Sequence, residues 1–378
     1  MSGSDGTNDL RIASVSFRNF RNYPSFDLAG VGDLTVFVGK NAVGKTNIVE
    51  GIELLTALSS FRNPTARQMM RWGSTDARLS ASFLSSSRDL VVELLISEGK
   101  KTYLLNGKPK KVQALKGLLP AVVFTPDDLD LVKGSQGGKR AAIDALGSQL
   151  SSNYYVILKD YEKILHHKNR LLKDEGPASF LDAVDETLLT VGAQLYCYRS
   201  SLFSRVVEEL ERYYCEIAGG QELIRATYVP SWEEHDPEQP TTFILPKDQA
   251  TERMKHALVD SREEERRRHH AVVGPHADRL EFFIDGKNAR MYGSQGQQRS
   301  IVLSFKLAEV SVIQEMLDQK PVLLLDDVMS ELDAQRRNSL IGFISGDIQT
   351  FITTTNLQYF SDDMLDKARI VELGGASR

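Results

Sequence analysis

The sequence predicts an α/β fold with a β-rich N-terminal part and a helical insertion lobe, and three observations carry that prediction. An apolar run, Leu34–Val38, meets a glycine turn and then apolar positions at helical spacing, Ile48, Val49, Ile52, Leu55 and Leu58. A second apolar strand, Val322–Leu325, is followed by helical texture over Asp333–Ile344 and another strand over Thr350–Thr354. Between these ends, from Gly138 to about Gly219, the pattern is helical.

Taken in order, Leu10–Asn19 and Tyr23–Leu28 read as short strands. Ala77–Leu84, Leu90–Ser97 and Lys101–Leu105 follow as a meander, with Asn106-Gly107 as a tight turn. Pro120–Phe124 adds one more apolar strand. Charged helical stretches over Tyr154–Lys173 and Phe180–Tyr214, broken at Gly176-Pro177, predict a helical hairpin of moderate length. Pro230 to Pro246 reads as a loop-rich connection. Strand texture returns at Arg279–Ile284, with Asn288–Tyr292 beyond a turn, before a long helix from about Gly296 to Gln319. The expected division is a disordered tail over 1–9, a core split between 10–117 and 271–378, and a helical lobe over 118–270.

Composition narrows the class. The chain has 378 residues, 41% hydrophobic and 26% charged, with a formal net charge of -5, as in an ordinary soluble globular protein. Cys197 and Cys215 give neither a disulfide framework nor metal-ligand spacing. About five helical turns apart, they are expected on one helix face as buried thiols. No apolar run reaches the roughly 18–20 residues of a membrane span, and the polar start lacks a signal-peptide pattern. A cytoplasmic protein without a membrane partner is the expectation.

Gly39-Lys40-Asn41-Ala42-Val43-Gly44-Lys45-Thr46 matches G-x-x-x-x-G-K-[ST], between a strand and a helix where that motif has to stand. The glycines let backbone N–H groups curl around phosphate oxygens, and the helix aims its positive end at them. Lys45 supplies charge for the β/γ-phosphates, and the Thr46 hydroxyl is placed to ligate Mg²⁺. The apolar strand ending in Asp326-Asp327 is its partner. It is expected beside the phosphate-binding strand, with Asp326 directed at the metal and Asp327 orienting water at the γ-phosphate.

Roughly 280 residues separate Lys45 from Asp326, far more than a compact mononucleotide fold interposes. Ahead of the acidic strand, Gly293-Ser294-Gln295-Gly296-Gln297-Gln298-Arg299 opens the long helix. Ser294 and the first-turn N–H groups make a second anion site. One nucleotide rarely needs two such sites in one chain. Ser294, Gly296 and Gln297 are therefore expected to bind the γ-phosphate of ATP held by a second copy, making ATP the glue of a two-fold dimer.

Phosphate loop, S-x-G-Q and acidic strand together resemble the head of ABC-type ATPases. Ser330-Glu331-Leu332-Asp333 looks like that class's D-loop, and Thr353-Thr354-Thr355-Asn356 occupies the position of its switch residue, usually His. Asp327 stands where most members carry Glu; the shorter carboxylate predicts slow hydrolysis. Within that class the chain resembles the RecF family. The matching words are Asn19-Phe20-Arg21-Asn22-Tyr23, Lys45-Thr46-Asn47, the run from Phe124 to Gly134, Gly274-Pro275-His276-Ala277-Asp278, Ser294 to Arg299, Lys306-Leu307-Ala308-Glu309, and Leu325 to Asp333. Ala277 and Arg279 fall where the family tends to have Arg and Asp. The resemblance implies ATP-dependent dimers that bind DNA at junctions of single and double strands, a weak DNA-stimulated ATPase, and work with RecR and RecO to bring RecA to gaps. It also places Pro126-Asp127 in a Q-loop region.

Lys100, Lys101, Lys108, Lys110, Lys111 and Lys116 crowd around the Asn106-Gly107 turn, a basic surface on an acidic chain. Lys108, Lys110 and Lys111 are the expected DNA contacts, with Arg18, Arg21, Lys133, Lys139 and Arg140 extending the strip. The competing reading is a sheet edge protected by lysines. Arg262 to His270 reads as a solvated helix laced by i,i+4 pairs. Two rival functions share the head plan without a direct DNA role: a transporter-type ATPase head, which lacks a membrane partner segment here, and an SMC-like head, which needs a far longer coiled coil.

Overall fold

The computed structural model describes residues 10–85, 89–234, 242–344 and 348–374. The tail expected over 1–9 lies outside the described residues. The chain divides into two units, Met1–Asp128 with Val310–Arg378, and Leu129–Glu309.

The first unit opens with β1 (Arg11–Phe20), β2 (Tyr23–Ala29) and β3 (Leu34–Val38), then α1 (Lys45–Thr56) and the single turn α2 (Ala66–Met69). β4 (Asp76–Leu84), β5 (Asp89–Ser97), β6 (Lys100–Leu105) and β7 (Lys108–Lys110) continue an antiparallel meander, and β8 (Ala121–Phe124) follows. The meander forms a six-stranded sheet in the order β2-β1-β4-β5-β6-β7. Its period-2 pattern sets the register: Leu79 pairs with Leu94 and Ala81 with Val92, all buried on one face. At the Asn106-Gly107 turn both residues have positive φ, 50° and 74°, which suits the right-handed twist of a two-residue hairpin. α1 packs its apolar stripe on this sheet. Gly51 makes that close approach possible, because a Cβ there would lie 2.4 Å from the Phe17 ring.

The second unit is mainly helical: α3 (Asp130–Lys133), α4 (Gln136–Leu150), α5 (Ser152–Lys173) and α6 (Ala178–Ala218). Ser135 and Ser151 cap α4 and α5 by accepting from Gly138 N and Tyr154 N, and Gly219 ends α6 at φ 69°. β9 (Ile224–Val229), α7 (Lys247–Asp260), α8 (Arg262–Arg268), β10 (Arg279–Ile284), β11 (Lys287–Asn288), α9 (Ala289–Tyr292) and the part of α10 (Gln295–Leu317) up to Glu309 complete it. Asn288–Tyr292, expected as strand, is mostly the short helix α9, with Asn288 accepting from Arg290 N. Buried ion pairs join the helices: Lys168 Nζ lies 2.8 Å from Asp185 and 2.7 Å from Glu265, and Arg199 clasps Asp144 with two 2.9 Å bonds. α8 is therefore not only a solvated helix. Its Arg268–Glu264 pair is on the surface, but Glu265 is fully buried and Arg262 bonds Asp182 and Asp185. Cys197 and Cys215 both lie on α6, part-buried and exposed respectively, so Cys215 is not the buried thiol expected.

The chain re-enters the first unit at Val310, within α10, and continues with β12 (Val322–Asp326), α11 (Ala334–Ile344), β13 (Thr350–Thr354), α12 (Asp362–Lys367) and β14 (Arg369–Glu372). These build a parallel five-stranded sheet in the order β14-β3-β13-β12-β8. β12 and β13 are buried at every position, as expected for a covered parallel sheet. The acidic strand β12 is not beside β3: β13 lies between them, pairing with both.

The observed divisions, at 128/129 and 309/310, differ from the 117/118 and 270/271 expected. Strand pairing explains both shifts. β8 pairs with β12 and stays in the first unit, whereas β10 pairs with β9 and belongs to the second. No helix among the described residues is long and apolar enough to cross a membrane.

Candidate phosphate-binding site

The loop from Gly39 to Gly44 leaves β3 and enters α1 through two left-handed residues, Ala42 (φ 65°) and Gly44 (φ 108°). A side chain at Gly44 is excluded twice. Its φ disfavours one, and a Cβ would fall 2.5 Å from Asn22 Nδ2 and 2.9 Å from the Tyr23 hydroxyl. Asn22 braces the loop from outside: its Nδ2 donates to Val43 O at 3.0 Å, and its Oδ1 accepts from Asn47 Nδ2 at 2.8 Å. Arg62 donates to Asn47 Oδ1, and Arg21 clasps the buried Glu50 with bonds of 2.9 and 2.6 Å. Ser60 also donates to Glu50. The Tyr23 hydroxyl is buried with no partner among the described residues, and burial pushes its pKa up to about 12.

Lys45 is buried, and its ammonium donates to the loop carbonyls of Gly39 (2.7 Å) and Lys40 (3.1 Å). Thr46 Oγ1 donates to Asp326 Oδ1 at 3.1 Å, and Thr353 Oγ1 donates to the same oxygen at 2.7 Å. Thr353 Oγ1 in turn accepts from Asp327 N at 2.9 Å. One threonine of β13 thus holds both the Asp326 carboxylate at the end of β12 and the backbone of the next residue, Asp327. Thr354 and Asn356 bond each other instead, and Asn356 caps the following turn through Gln358 N.

Asp327 has φ 54°, uncommon outside glycine, which turns its carboxylate away from the strand direction. Its Oδ1 is buried and has no partner among the described residues. Burial raises its pKa; Lys45 opposes the shift, while Asp326 and Glu331 add to it. Lys45, Thr46, Asp326 and Asp327, distant in sequence, therefore form one oxygen-rich site with one cation. Beside it opens a groove of about 1330 Å³ whose lining includes Asn22, Asn47, Arg67, Arg71 and the exposed Trp72.

In the second unit, Ser294 Oγ accepts from Gln297 N at 3.2 Å and Ser294 N donates to Gln297 Oε1 at 2.7 Å, a capping box at the start of α10. Gly296 lies in the first turn behind it. The loop Gly274–Asp278 is a core anchor: His276 Nε2 donates to Ala271 O (3.1 Å) and its Nδ1 accepts from the Tyr161 hydroxyl (2.7 Å). Burial lowers the His276 pKa to about 4, with Arg140, Lys168 and Arg199 adding to the effect. Asp278 accepts from Tyr228 and from Ser231 N, and burial raises its pKa to about 6 against the pull of Arg199 and those donors.

On the first unit's sheet, β7 is an edge strand, and Lys108, Lys110 and Lys111 are exposed there. Other members of the expected basic strip are engaged elsewhere. Lys116 donates to Ala57 O at the C-terminus of α1, Arg18 to Asp27, and Arg21 to Glu50. Lys139 is buried over the Phe282 ring, and Arg140 donates to Asp278 O.

Sequence reasoning missed the supporting shell of Asn22, Asn47, Arg62 and Glu50, and the role of Thr353. A family model described as the RecF/RecN/SMC N terminal domain matches residues 11–372. The DNA replication and repair protein RecF of Heliobacterium modesticaldum is 36% identical over 380 residues, covering 98% of this chain and 99% of that protein. That of Lactobacillus johnsonii is 33% identical over 374 residues, covering 97% and 98%. Among solved structures, the recombination mediator protein RecF-ATPrS in the RecFOR pathway superposes with a TM-score of 0.85 at 28% identity, over 93% of this chain and 94% of that one. An Smc head domain from Pyrococcus furiosus shares the fold, with a TM-score of 0.52 at 15% identity over 96% and 93%.

Proposed function

The chain belongs to the RecF family, and from that premise we propose that it is an ATP-dependent DNA-binding protein of replication and recombinational repair. The single observation that carries the nucleotide half of this reading is the meeting of Thr46, Thr353 and Asp326 around one carboxylate oxygen, with Asp327 Oδ1, which has no partner among the described residues, beside it. The glycine cradle and Lys45 suit ATP phosphates, and the adjoining groove has room for base and sugar.

The donor set fits Mg²⁺. A hydroxyl and a carboxylate oxygen 3.1 Å apart are hard ligands, and Mg²⁺ is commonly bound by one or two carboxylates plus substrate phosphates. Thr46 and Asp326 would hold it, and when bound it neutralises charge on the phosphate oxygens. The chain's own residues do the rest. Lys45 stabilises charge developing between the β- and γ-phosphates. Asp327, whose Oδ1 has no partner among the described residues, orients the attacking water and takes its proton. Thr353 fixes Asp326 and Asp327 together. Its short carboxylate makes Asp327 a slow base, which suits a switch that turns over to release DNA.

Ser294, Gly296 and Gln297 complete the site of a second copy, so ATP binding pairs two chains. Lys108, Lys110 and Lys111 on the exposed edge supply phosphate contacts to DNA at single/double-strand junctions, and RecO, RecR and RecA are the partners in gap loading. Light scattering of the full chain with no nucleotide, ADP and ATP tests the reading. Dimers formed only with ATP, and lost in Lys45→Met and Ser294→Arg, support it; a constitutive monomer that hydrolyses ATP at full rate refutes it.

A further inference from the structure

The backbone donors of Ser294 and Gln297 are already in use within the turn. Ser294 N donates to Gln297 Oε1 at 2.7 Å, and Gln297 N donates to Ser294 Oγ at 3.2 Å. The remaining Gln297 donor, Nε2, goes to Glu222 Oε1 at 2.8 Å. Glu222 Oε2 accepts from the hydroxyl of Tyr214, whose side chain is fully buried at the end of α6.

Glu222 is held in place by its backbone. On one side Gly219 and Gly220 (φ 69° and 71°) close α6, with Gly220 N donating to Cys215 O at 2.8 Å. On the other, Leu223 N donates to Asp285 Oδ1 and Asp285 N donates to Leu223 O, both at 2.9 Å. The carboxylate is thus presented to Gln297 from a clamped segment, with all four residues of the chain Tyr214–Glu222–Gln297–Ser294 in the second unit.

We infer that Glu222 is a positioning residue that latches Gln297 over the start of α10 and sets how much ATP is needed to pair two copies. The inference rests on the composite-site reading above. A γ-phosphate can take Ser294 N–H only if Gln297 swings away and gives up its bond to a charged acceptor, and Glu222 also places a negative charge one side chain from the incoming anion. Glu222 touches no nucleotide in this scheme; it acts through Gln297.

The test compares wild type, Glu222→Gln, Glu222→Ala and Tyr214→Phe as full chains. Hydrogen exchange in the nucleotide-free protein reads the latch alone: the Ser294 and Gln297 amides exchange faster in Glu222→Ala, and unchanged exchange overturns the latch. Light scattering against ATP concentration reads its consequence. Removing a hydrogen bond to a charged group lowers the ATP midpoint for association by about tenfold in Glu222→Ala, with Tyr214→Phe between it and wild type. A purely structural role would weaken association, so a midpoint that moves to lower ATP separates positioning from it. An ATP midpoint equal to or above wild type overturns the proposal. Failure of every chain, wild type included, to associate with ATP overturns the composite-site reading instead, while the exchange result still decides whether Glu222 holds Gln297.

Discussion

Thr353 Oγ1 lies 2.7 Å from Asp326 Oδ1 and accepts a hydrogen bond from Asp327 N, so one buried hydroxyl holds the Asp326 carboxylate and the Asp327 backbone. The relationship gives Thr353 a role that its own chemistry does not advertise. Thr353→Val keeps the volume in a fully buried strand while leaving Asp326 and the Asp327 N–H one partner short. ATP hydrolysis is expected to fall about 10- to 100-fold with ATP affinity changed far less, and Thr353→Ser is expected to restore most of it. Steady-state hydrolysis beside a nucleotide-binding titration separates the two. Equal loss in both variants would mean the methyl group, not the hydroxyl, matters.

Asp327 separates switching from turnover. Asp327→Asn removes the proton acceptor and leaves Lys45, Thr46 and Asp326 in place. Hydrolysis is expected to drop at least 100-fold, within the usual contribution of a general base, while ATP-dependent association and DNA binding persist. Its raised pKa has a sign: burial favours the protonated form, which cannot accept a proton. The wild-type rate is therefore expected to fall on acidification at a higher pH than an ordinary carboxylate would give. A rate that is flat down to the usual Asp range would remove Asp327 from the base role.

How far the sequence foretold these parts depends on chain distance. The phosphate loop, the acidic pair and the Ser294–Gln297 turn each sit in a few contiguous residues whose spacing states their chemistry. Thr353 belongs to a different strand from Asp326, and only the insertion of β13 between β3 and β12 brings them together. Nothing local encodes strand order in a parallel sheet, since every crossover is remote. The unit boundaries shifted for the same reason: β9 and β10 are separated by a long, helix-containing segment, yet they pair. Spacing likewise put Cys197 and Cys215 on one face without saying which depth each would reach.

The lysine hairpin makes a quantitative prediction. Changing Lys108, Lys110 and Lys111 to Gln removes at most three phosphate contacts, so the slope of log affinity against log salt should shrink by up to about 2.7 units on duplex DNA. Lys116 is the internal control. Its ammonium donates to Ala57 O at 2.8 Å, at the negative end of α1, so Lys116→Gln should cost about 0.3–1 kcal/mol of stability and leave the salt slope alone. Salt titrations of DNA binding that show no difference between the triple variant and wild type would assign the edge lysines to protecting the sheet edge.

His276 links the second unit's stability to pH. Its two ring nitrogens are committed to Ala271 O and the Tyr161 hydroxyl, a pattern that the neutral ring with Nε2 protonated satisfies. Burial, reinforced by the positive charges of Arg140, Lys168 and Arg199, holds its pKa at about 4, below the unfolded value near 6.5. A depressed pKa means the unfolded chain binds the proton more readily. The contribution is complete above about pH 6.5 and is lost as the pH falls toward 4, amounting to about 2 kcal/mol between pH 7 and pH 5. Asp278, with its pKa raised to about 6, shifts the other way over nearly the same window, because its protonated form is the one the fold prefers. The comparison of variants therefore carries the test. His276→Gln can accept from Tyr161 and donate to Ala271 without titrating, so its stability should decline less than wild type on going from pH 7 to pH 5, by about that 2 kcal/mol. Urea midpoints at the two pH values measure the difference, and parallel declines in both proteins would show that the fold does not hold the His276 pKa down.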